Sequence, residues 1–132
     1  APPLLAAALR QSLVLMAAAD DRREHLCQRI AQLRDGLAEM LGTARGALSW
    51  QLLPSHTAVQ ALVIGSNEAA LTLMESLRQS GLWVPAIRPP TVPVGTARLR
   101  IALSAAHTED DVDQLLQALH RYAAECTATA QA

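Results

Sequence analysis

The sequence contains no lysine, because all eleven of its Lys or Arg positions hold arginine. A side-chain Schiff base needs an amine with an adjustable pKa, and arginine stays protonated. The chain by itself therefore cannot hold a carbonyl compound through a lysine. Phenylalanine is also absent and aromatic residues make up 2% of the chain, although 51% of it is hydrophobic. The core must be built from Leu, Val, Ile, Ala and Met.

Several functional signatures are missing as well. The net charge is −1 and the basic residues are scattered, which argues against nucleic-acid binding. No glycine-rich phosphate loop joins a strand to a helix, and the histidines lack ligand spacing with a carboxylate, so no metal site is predicted. The apolar start has no basic leader and is too short to span a bilayer, which favours a cytoplasmic protein without membrane contact. Cys27 and Cys126, far apart in helical patterns, are expected to be free thiols.

The length and the hydrophobic periodicity predict an α+β fold, with two N-terminal helices followed by a small β-α-β-β-α unit whose three strands form a mixed sheet. Asp20 and Asp21 are candidate caps for a second helix or for a continuation after a bend. We divide the chain into linking helices over 1–42, a small α+β domain over 43–125 and a frayed tail over 126–132.

The remaining elements follow from turn and cap signals. They are a loop over 42–57, a strand over 59–64, a helix capped by Ser66 or Asn67 and closed by Gly81, an edge strand over 82–87 that contains Pro85, a strand over 98–104, and a last helix capped by Thr108. The first strand-helix-strand crossover is expected to be parallel and the second and third strands antiparallel. One face of the second helix is expected to be solvated: Arg22, Arg23, Glu24, Arg29, Arg34 and Asp35.

The chemistry is concentrated in residues 86–101, AIRPPTVPVGTARLRI. Side chains alternate between the faces of a strand, so Arg98 and Arg100 point one way, with Ala102 and Ser104 continuing that face, while Leu99, Ile101 and Leu103 point into the core. Two guanidiniums beside a proline-rich loop can bind a carboxylate through paired, charge-assisted hydrogen bonds. The alternative is an ordinary solvated face.

This stretch, continued through SAAHTEDD at 104–111, resembles the C-terminal segment of the α-oxoamine synthases, a family of pyridoxal-phosphate (PLP) enzymes of fold type I. The run Ile-Arg-Pro-Pro-Thr-Val-Pro is similar to the corresponding segment of the branch that condenses L-alanine with a pimeloyl thioester in biotin synthesis. The similarity covers most of the chain after Val59, and the two N-terminal helices resemble the passage out of the family's large domain. It implies decarboxylation, PLP as cofactor and a homodimer. Since lysine is absent, it also implies that this chain alone is inactive and that PLP binds only to the full-length enzyme.

The resemblance implies substrate-binding roles for three residues and places no catalytic residue in this chain. Arg100, in the run Gly-Thr-x-x-Leu-Arg, would hold the carboxylate of the amino-acid substrate. Thr91, in Pro-Thr-Val-Pro, would contact substrate, or else it satisfies loop backbone. Arg88 would face the acidic groups of the acyl substrate, or else it forms a surface ion pair. Arg98 is expected to be structural or solvated.

Two other functions stay open. The chain could belong to another α-oxoamine synthase, such as glycine C-acetyltransferase, although the Arg-Pro-Pro loop speaks against that choice. It could also be a free-standing α+β ligand-binding or interaction module without catalysis, which the absence of lysine favours.

Overall fold

A computed structural model describes the backbone of residues 3–43 and 49–131 and the side chains of residues 19–42 and 49–126. This part of the chain forms three helices and four strands. The helices are α1 (Pro3–Thr43), α2 (Asn67–Gln79) and α3 (Glu109–Gln131), and the strands are β1 (Gln51–Leu52), β2 (Val59–Gly65), β3 (Ala86–Ile87) and β4 (Ala97–Ala102). The α+β class is therefore confirmed.

The N-terminal region is one helix, so the prediction of two helices is wrong. α1 runs through Asp20 and Asp21 without interruption. An Asp inside a helix costs well under 1 kcal/mol, far less than a proline, and Asp20 accepts a hydrogen bond from Arg23 one turn later at 2.5 Å. The predicted stripe of Leu5, Leu9, Leu13 and Met16 lies outside the described side chains.

The sheet is four-stranded and wholly antiparallel in the order β1-β2-β4-β3, which corrects the expected three-stranded mixed sheet. The additional strand is β1, in which Gln51 and Leu52 pair with Val63 and Leu62 inside the predicted loop. β2 and β3 do point the same way, but β4 lies between them and pairs antiparallel with both. The predicted antiparallel pairing of the last two strands is confirmed, as is the edge position of β3. The strand is shorter than the predicted 82–87, since only Ala86 and Ile87 pair, and Pro85 precedes it instead of lying inside it.

One face of this sheet is covered by helices: α2 packs against β2, β3 and β4, α1 packs against β1, and α3 packs against α1 and α2. Leu99, at the centre of β4, is fully buried, and Ile101 and Leu103 on the same side are nearly so. Arg100, Ala102 and Ser104 are exposed, so the predicted division of β4 into a core side and an open side is confirmed. The core also takes in leucines of every helix: Leu33, Leu37, Leu73, Leu77, Leu115 and Leu119.

The helix boundaries follow their cap residues. Ser66 is the N-cap of α2, and its hydroxyl accepts a hydrogen bond from the Ala69 amide at 3.1 Å. After α2, Gly81 has a φ of +84°, and the Leu82 amide donates back to the Leu77 carbonyl at 2.8 Å. Such a reversal needs a residue that accepts the left-handed region, which explains the glycine. Both predicted boundary signals are confirmed.

Thr108 and Asp111 cap α3 reciprocally. The Thr108 amide donates to the Asp111 carboxylate at 2.9 Å, and the Asp111 amide donates to the Thr108 hydroxyl at 3.1 Å. The hydrogen bond from the Thr108 backbone lowers the pKa of the Asp111 carboxyl below its ordinary value. The ionised form of Asp111 is therefore the one that the folded state prefers.

This cap predicts a pH dependence of stability. Since the folded-state pKa of Asp111 is lowered, its contribution is present above the unfolded-state pKa and is lost as pH falls through the folded-state value. We expect Asp111→Asn to flatten the acid limb of the free energy of unfolding, measured by urea denaturation between about pH 2 and 6. Asp110→Asn removes a neighbouring exposed carboxylate that does not bond Thr108, and serves as the control. An acid limb as steep in Asp111→Asn as in the wild type would contradict the assignment.

Two arginines of α1 depart from the solvated face that was predicted for them. Arg29 is 8% exposed, and its Nε and Nη1 have no hydrogen-bond partner among the described residues. Arg34 is half-buried, and its Nη1 donates hydrogen bonds to the Leu53 carbonyl and to the side-chain oxygen of Gln60. Arg22, Arg23, Glu24 and Asp35 are exposed as expected.

The remaining predictions concern the cysteines, the tail and the membrane. Both cysteines are free thiols, as predicted. The backbone of α3 stays helical to Gln131, while side chains from residue 127 onward lie outside the described part, so the fraying of residues 126–132 stays a prediction. Within the described chain, none of the helices combines the length and hydropathy needed to cross a bilayer.

Candidate functional site

The side of the sheet opposite the helices presents two arginines among small apolar residues. We call this surface the arginine face; it consists of Val59, Ala61, Val63, Arg98, Arg100 and Ala102. Ala61 is the cross-strand partner of Arg100, and Val63 is the partner of Arg98. These β2 residues are partly exposed because no described helix covers them. The face is thus an apolar sheet surface with two cationic groups on it.

The proline-rich loop joins the edge strand β3 to β4 and is shaped by two turns. In the first turn the Thr91 amide donates to the Arg88 carbonyl at 3.1 Å, around a cis peptide bond between Pro89 and Pro90. In the second, the Thr96 amide and hydroxyl both donate to the Pro93 carbonyl, at 3.1 and 2.5 Å. Gly95 has a φ of +83°, the left-handed value that this turn requires at its third position. The loop therefore has a defined conformation beside the arginine face.

The two arginines of β4 differ in their surroundings. Arg98 is half-buried, and its Nε donates to the Thr96 carbonyl at 3.1 Å, which ties this side chain to the second turn. Arg100 is exposed and has no side-chain hydrogen bond or ion pair with any other described residue. Its backbone amide donates to the Pro85 carbonyl of the edge segment at 2.9 Å, so the backbone is held while the guanidinium is available. Arg100 thus presents a whole guanidinium to a possible carboxylate ligand, whereas the Nε of Arg98 is already bonded.

The loop holds Arg88 and Thr91 in one turn, and both side chains are at least partly exposed. The Thr91 hydroxyl makes no hydrogen bond within the described residues and can donate to a ligand. The loop returns to the sheet at Ala97, and Arg100 follows about 10 Å further along the strand at 3.3 Å per residue. The structure therefore groups Arg88 and Thr91, and sets Arg100 apart from them on the open sheet face.

Sequence reasoning missed two contacts near this surface. The tie from Arg98 to the Thr96 carbonyl resolves the open choice between a structural and a solvated role in favour of the structural one. Gln60 lies under the arginine face on the core side of β2, fully buried, and bonds Arg34 of α1. A contact over 26 residues leaves no local signal in the sequence. The only available hint was an amide inside an otherwise apolar strand.

Comparison with known proteins gives the family. A family model described as "Aminotransferase class I and II" matches residues 1–119. The chain belongs to this family. Among its relatives in the aminotransferase class I and II family, the 8-amino-7-oxononanoate synthase of Delftia acidovorans is 66% identical over 90% of this chain and 28% of the relative. The 8-amino-7-oxononanoate synthase 1 of a Polaromonas species is 63% identical with the same coverage.

Solved structures share the fold of this chain. A serine palmitoyltransferase of Sphingomonas wittichii superposes with a TM-score of 0.67 at 29% identity, over 83% of this chain and 26% of that one. A serine palmitoyltransferase of S. paucimobilis with bound PLP and myriocin gives 0.68 at 26% identity, over 84% and 26%. The chain spans less than a third of the length of these curated relatives and solved structures.

Proposed function

We propose that these residues form the C-terminal part of an 8-amino-7-oxononanoate synthase and that the arginine face is one wall of its active-site cleft. The observation that carries this proposal is Arg100, an exposed guanidinium on an uncovered sheet face, without a partner among the described residues. Identity of 66% to a protein of that name supports the choice of enzyme within the family. The loop run Ile87 to Pro93 supports the same branch over glycine C-acetyltransferase.

The proposed reaction joins L-alanine to a pimeloyl thioester, of coenzyme A or of a carrier protein, and releases carbon dioxide and the thiol carrier. PLP supplies an electron sink for the bond broken at the α-carbon when it is bound in the whole enzyme. The residues of this chain do not fit the task of holding PLP covalently, since none is lysine. We therefore assign that task to the rest of the protein, which these residues would join through α1, the linking element proposed for residues 1–42.

The residues of this chain bind and orient substrate in the proposal. Arg100 takes the α-carboxylate of L-alanine in a two-pronged, charge-assisted contact and so fixes the direction of the carboxyl bond. The Thr91 hydroxyl donates a hydrogen bond to substrate, and Arg88 faces the acidic groups of the acyl donor. Arg98 keeps the loop in place through the Thr96 carbonyl and is not a ligand-binding residue.

Exposed apolar side chains support a further covering unit. Trp83 is 71% exposed and Val94, at the tip of the proline loop, is 89% exposed. A covering unit would take these apolar side chains out of water, which is favourable in proportion to the area removed. In the proposed cytoplasmic enzyme this cover is the large domain or the second subunit of a homodimer.

Activity of the full-length protein tests the proposal. We expect the PLP-loaded enzyme to release carbon dioxide and free thiol from L-alanine and pimeloyl-CoA, and to show little activity with glycine and acetyl-CoA. The thiol is followed by a colorimetric reagent, and the amino ketone by mass spectrometry. Preference for glycine and acetyl-CoA would assign the chain to the other branch of the family.

The 132-residue chain alone is the negative control, because it has no lysine. After incubation with PLP, borohydride reduction and digestion, we expect no PLP adduct on any internal side chain. The full-length protein treated in parallel is expected to give one such adduct. If neither protein carried an adduct and neither showed turnover, the non-catalytic α+β module would be the better description.

A further inference from the structure

A partly buried hydrogen-bond network joins α1 to β2, the strand that carries one half of the arginine face. Gln60 is fully buried on the core side of β2, and its Oε1 accepts a hydrogen bond from Arg34 Nη1 at 2.5 Å. Its Nε2 donates to the Thr57 carbonyl at 2.7 Å. Arg34 Nη1 donates also to the Leu53 carbonyl at 3.1 Å. Both polar ends of the Gln60 amide are thus satisfied, as a buried amide requires.

The network gives direction to the packing of α1 on the sheet, where the apolar contacts give only cohesion. The hydrogen bonds of His25 and Gln32 on α1 run instead to α3 and the turn before it, at residues 107–113. α1 meets the core through Leu33, Leu37 and Met40, which are buried. Apolar contacts are non-directional, so they fix the angle between a helix and a sheet loosely. Hydrogen bonds from a charged donor are short and strong, and a guanidinium that bonds two oxygens at once must be oriented toward both. Arg34 therefore fixes the position on α1 that holds the end of β1 and the start of β2.

The network ends next to the proposed substrate anchor. Gln60 is followed by Ala61, the direct cross-strand partner of Arg100. The Leu53 amide donates to the Ala61 carbonyl at 3.0 Å, so the segment that accepts from Arg34 is also bonded to that partner. A shift of α1 relative to Gln60 would therefore change the placement of Arg100 relative to everything attached through α1.

We propose that Arg34 and Gln60 are positioning residues that set the location of the Arg100 guanidinium relative to the rest of the enzyme. This inference rests on the proposed function, since it assumes that Arg100 binds the substrate carboxylate. Neither residue touches substrate. A displacement of about 1 Å of a group that positions the substrate is enough to lower that group's contribution about ten- to a hundredfold.

The test compares Arg34→Met with Arg29→Met in the full-length, PLP-loaded protein. Both arginines lie on α1, but Arg29 has no hydrogen bond to the described part of the sheet, and its Nη1 is 4.0 Å from the Glu109 carboxylate of α3. We expect Arg34→Met to raise the Kd of L-alanine about tenfold, measured by calorimetry, and to leave the Kd of L-alaninamide unchanged, because only the carboxylate meets Arg100. Arg29→Met is expected to change neither Kd.

A double variant with Arg100→Ala distinguishes a positioning role of Arg34 from a general loss of structural order. In Arg100→Ala, adding Arg34→Met is expected to leave the Kd of L-alanine where Arg100→Ala alone puts it, since the effect acts through Arg100. Arg34→Lys retains the charge without the planar fork and is expected to lose about threefold on L-alanine alone. It tests the inference even if Arg34→Met does not fold.

The outcomes distinguish the two proposals. If the wild type binds L-alanine and the Arg34 variants bind it equally well, or lose both ligands equally, the positioning role is overturned and the proposed function stands. The positioning role is likewise overturned if Arg34→Met weakens L-alanine binding further in the Arg100→Ala background. If the wild type does not bind L-alanine, the proposed function is overturned and this inference with it.

Discussion

Replacing Arg100 with alanine in the full-length protein is expected to lower kcat/KM for L-alanine by about thirty- to a thousand-fold. The lost contact is a charge-assisted pair in a partly desolvated cleft, worth about 2–4 kcal/mol, and each 1.36 kcal/mol is a factor of ten. PLP binding is expected to stay nearly intact, because the guanidinium serves the substrate carboxylate. Steady-state kinetics and the cofactor's absorbance spectrum measure the two quantities.

Two further variants identify which feature of the arginine matters. Arg100→Lys is expected to recover only part of the loss, because an ammonium keeps the charge but lacks the planar fork. Arg98→Ala removes a guanidinium from the same face, two residues away, whose Nε is already committed to the Thr96 carbonyl. We expect its effect to be several-fold at most, from a looser loop. A larger loss of kcat/KM in Arg98→Ala than in Arg100→Ala would mean that Arg98, and not Arg100, binds the carboxylate. Small losses in both variants would mean that β4 does not contribute to the substrate site.

The features of β4 and of the helix ends could be predicted from the sequence. Alternation along 97–103 was enough to predict which side chains of β4 are buried. When helices cover one face of a sheet, every second residue of a strand is buried and the residues between are exposed. Local caps were equally readable, as Ser66, Gly81 and Thr108 show. The resemblance named the family from the motif around Arg100. Each of these signals lies within a few consecutive residues.

Elements without a local signal were predicted wrongly. β1 consists of Gln51 and Leu52 alone, too short for any periodicity, and it exists because β2 offers an unpaired edge. Asp20 and Asp21 read as caps, yet α1 continues through them since nothing there removes a helical hydrogen bond. The sheet was predicted to be mixed, but β4 inserts between β2 and β3 and pairs antiparallel with both, which tertiary packing decides.

Arg34 and Gln60 illustrate the same limit at the candidate site. The charged face of α1 predicted solvation for Arg34, because amphipathicity assigns charged residues to water by default. Its actual partners are a backbone carbonyl and an amide 19 and 26 residues away. Long side chains can bury their stems and carry a charge to a distant acceptor, and the pattern of one helix does not contain that acceptor.

The second large effect concerns the stability of the sheet that carries Arg100. Leu99 is fully buried on β4, between Leu62 of β2 and Ala86 of β3, and directly precedes Arg100. Leu99→Ala removes three carbons from a packed core and leaves a cavity that a strand bonded on both edges cannot close. We expect the free energy of unfolding to fall by about 2–5 kcal/mol, measured by urea denaturation with an unchanged m-value.

Gln117→Ala is the control for that experiment. Gln117 is exposed on α3 and its side chain makes no hydrogen bond to another described residue, so its truncation is expected to change the free energy of unfolding by no more than about 0.5 kcal/mol. Because Leu99 faces the helices and Arg100 faces outward, any Leu99→Ala protein that stays folded should keep its affinity for L-alanine to within a few-fold. An equal stability loss in both variants would mean that the burial of Leu99 does not hold in solution. A selective loss of L-alanine affinity in folded Leu99→Ala would mean that the core side of β4, and not only the Arg34–Gln60 contact, governs where Arg100 lies.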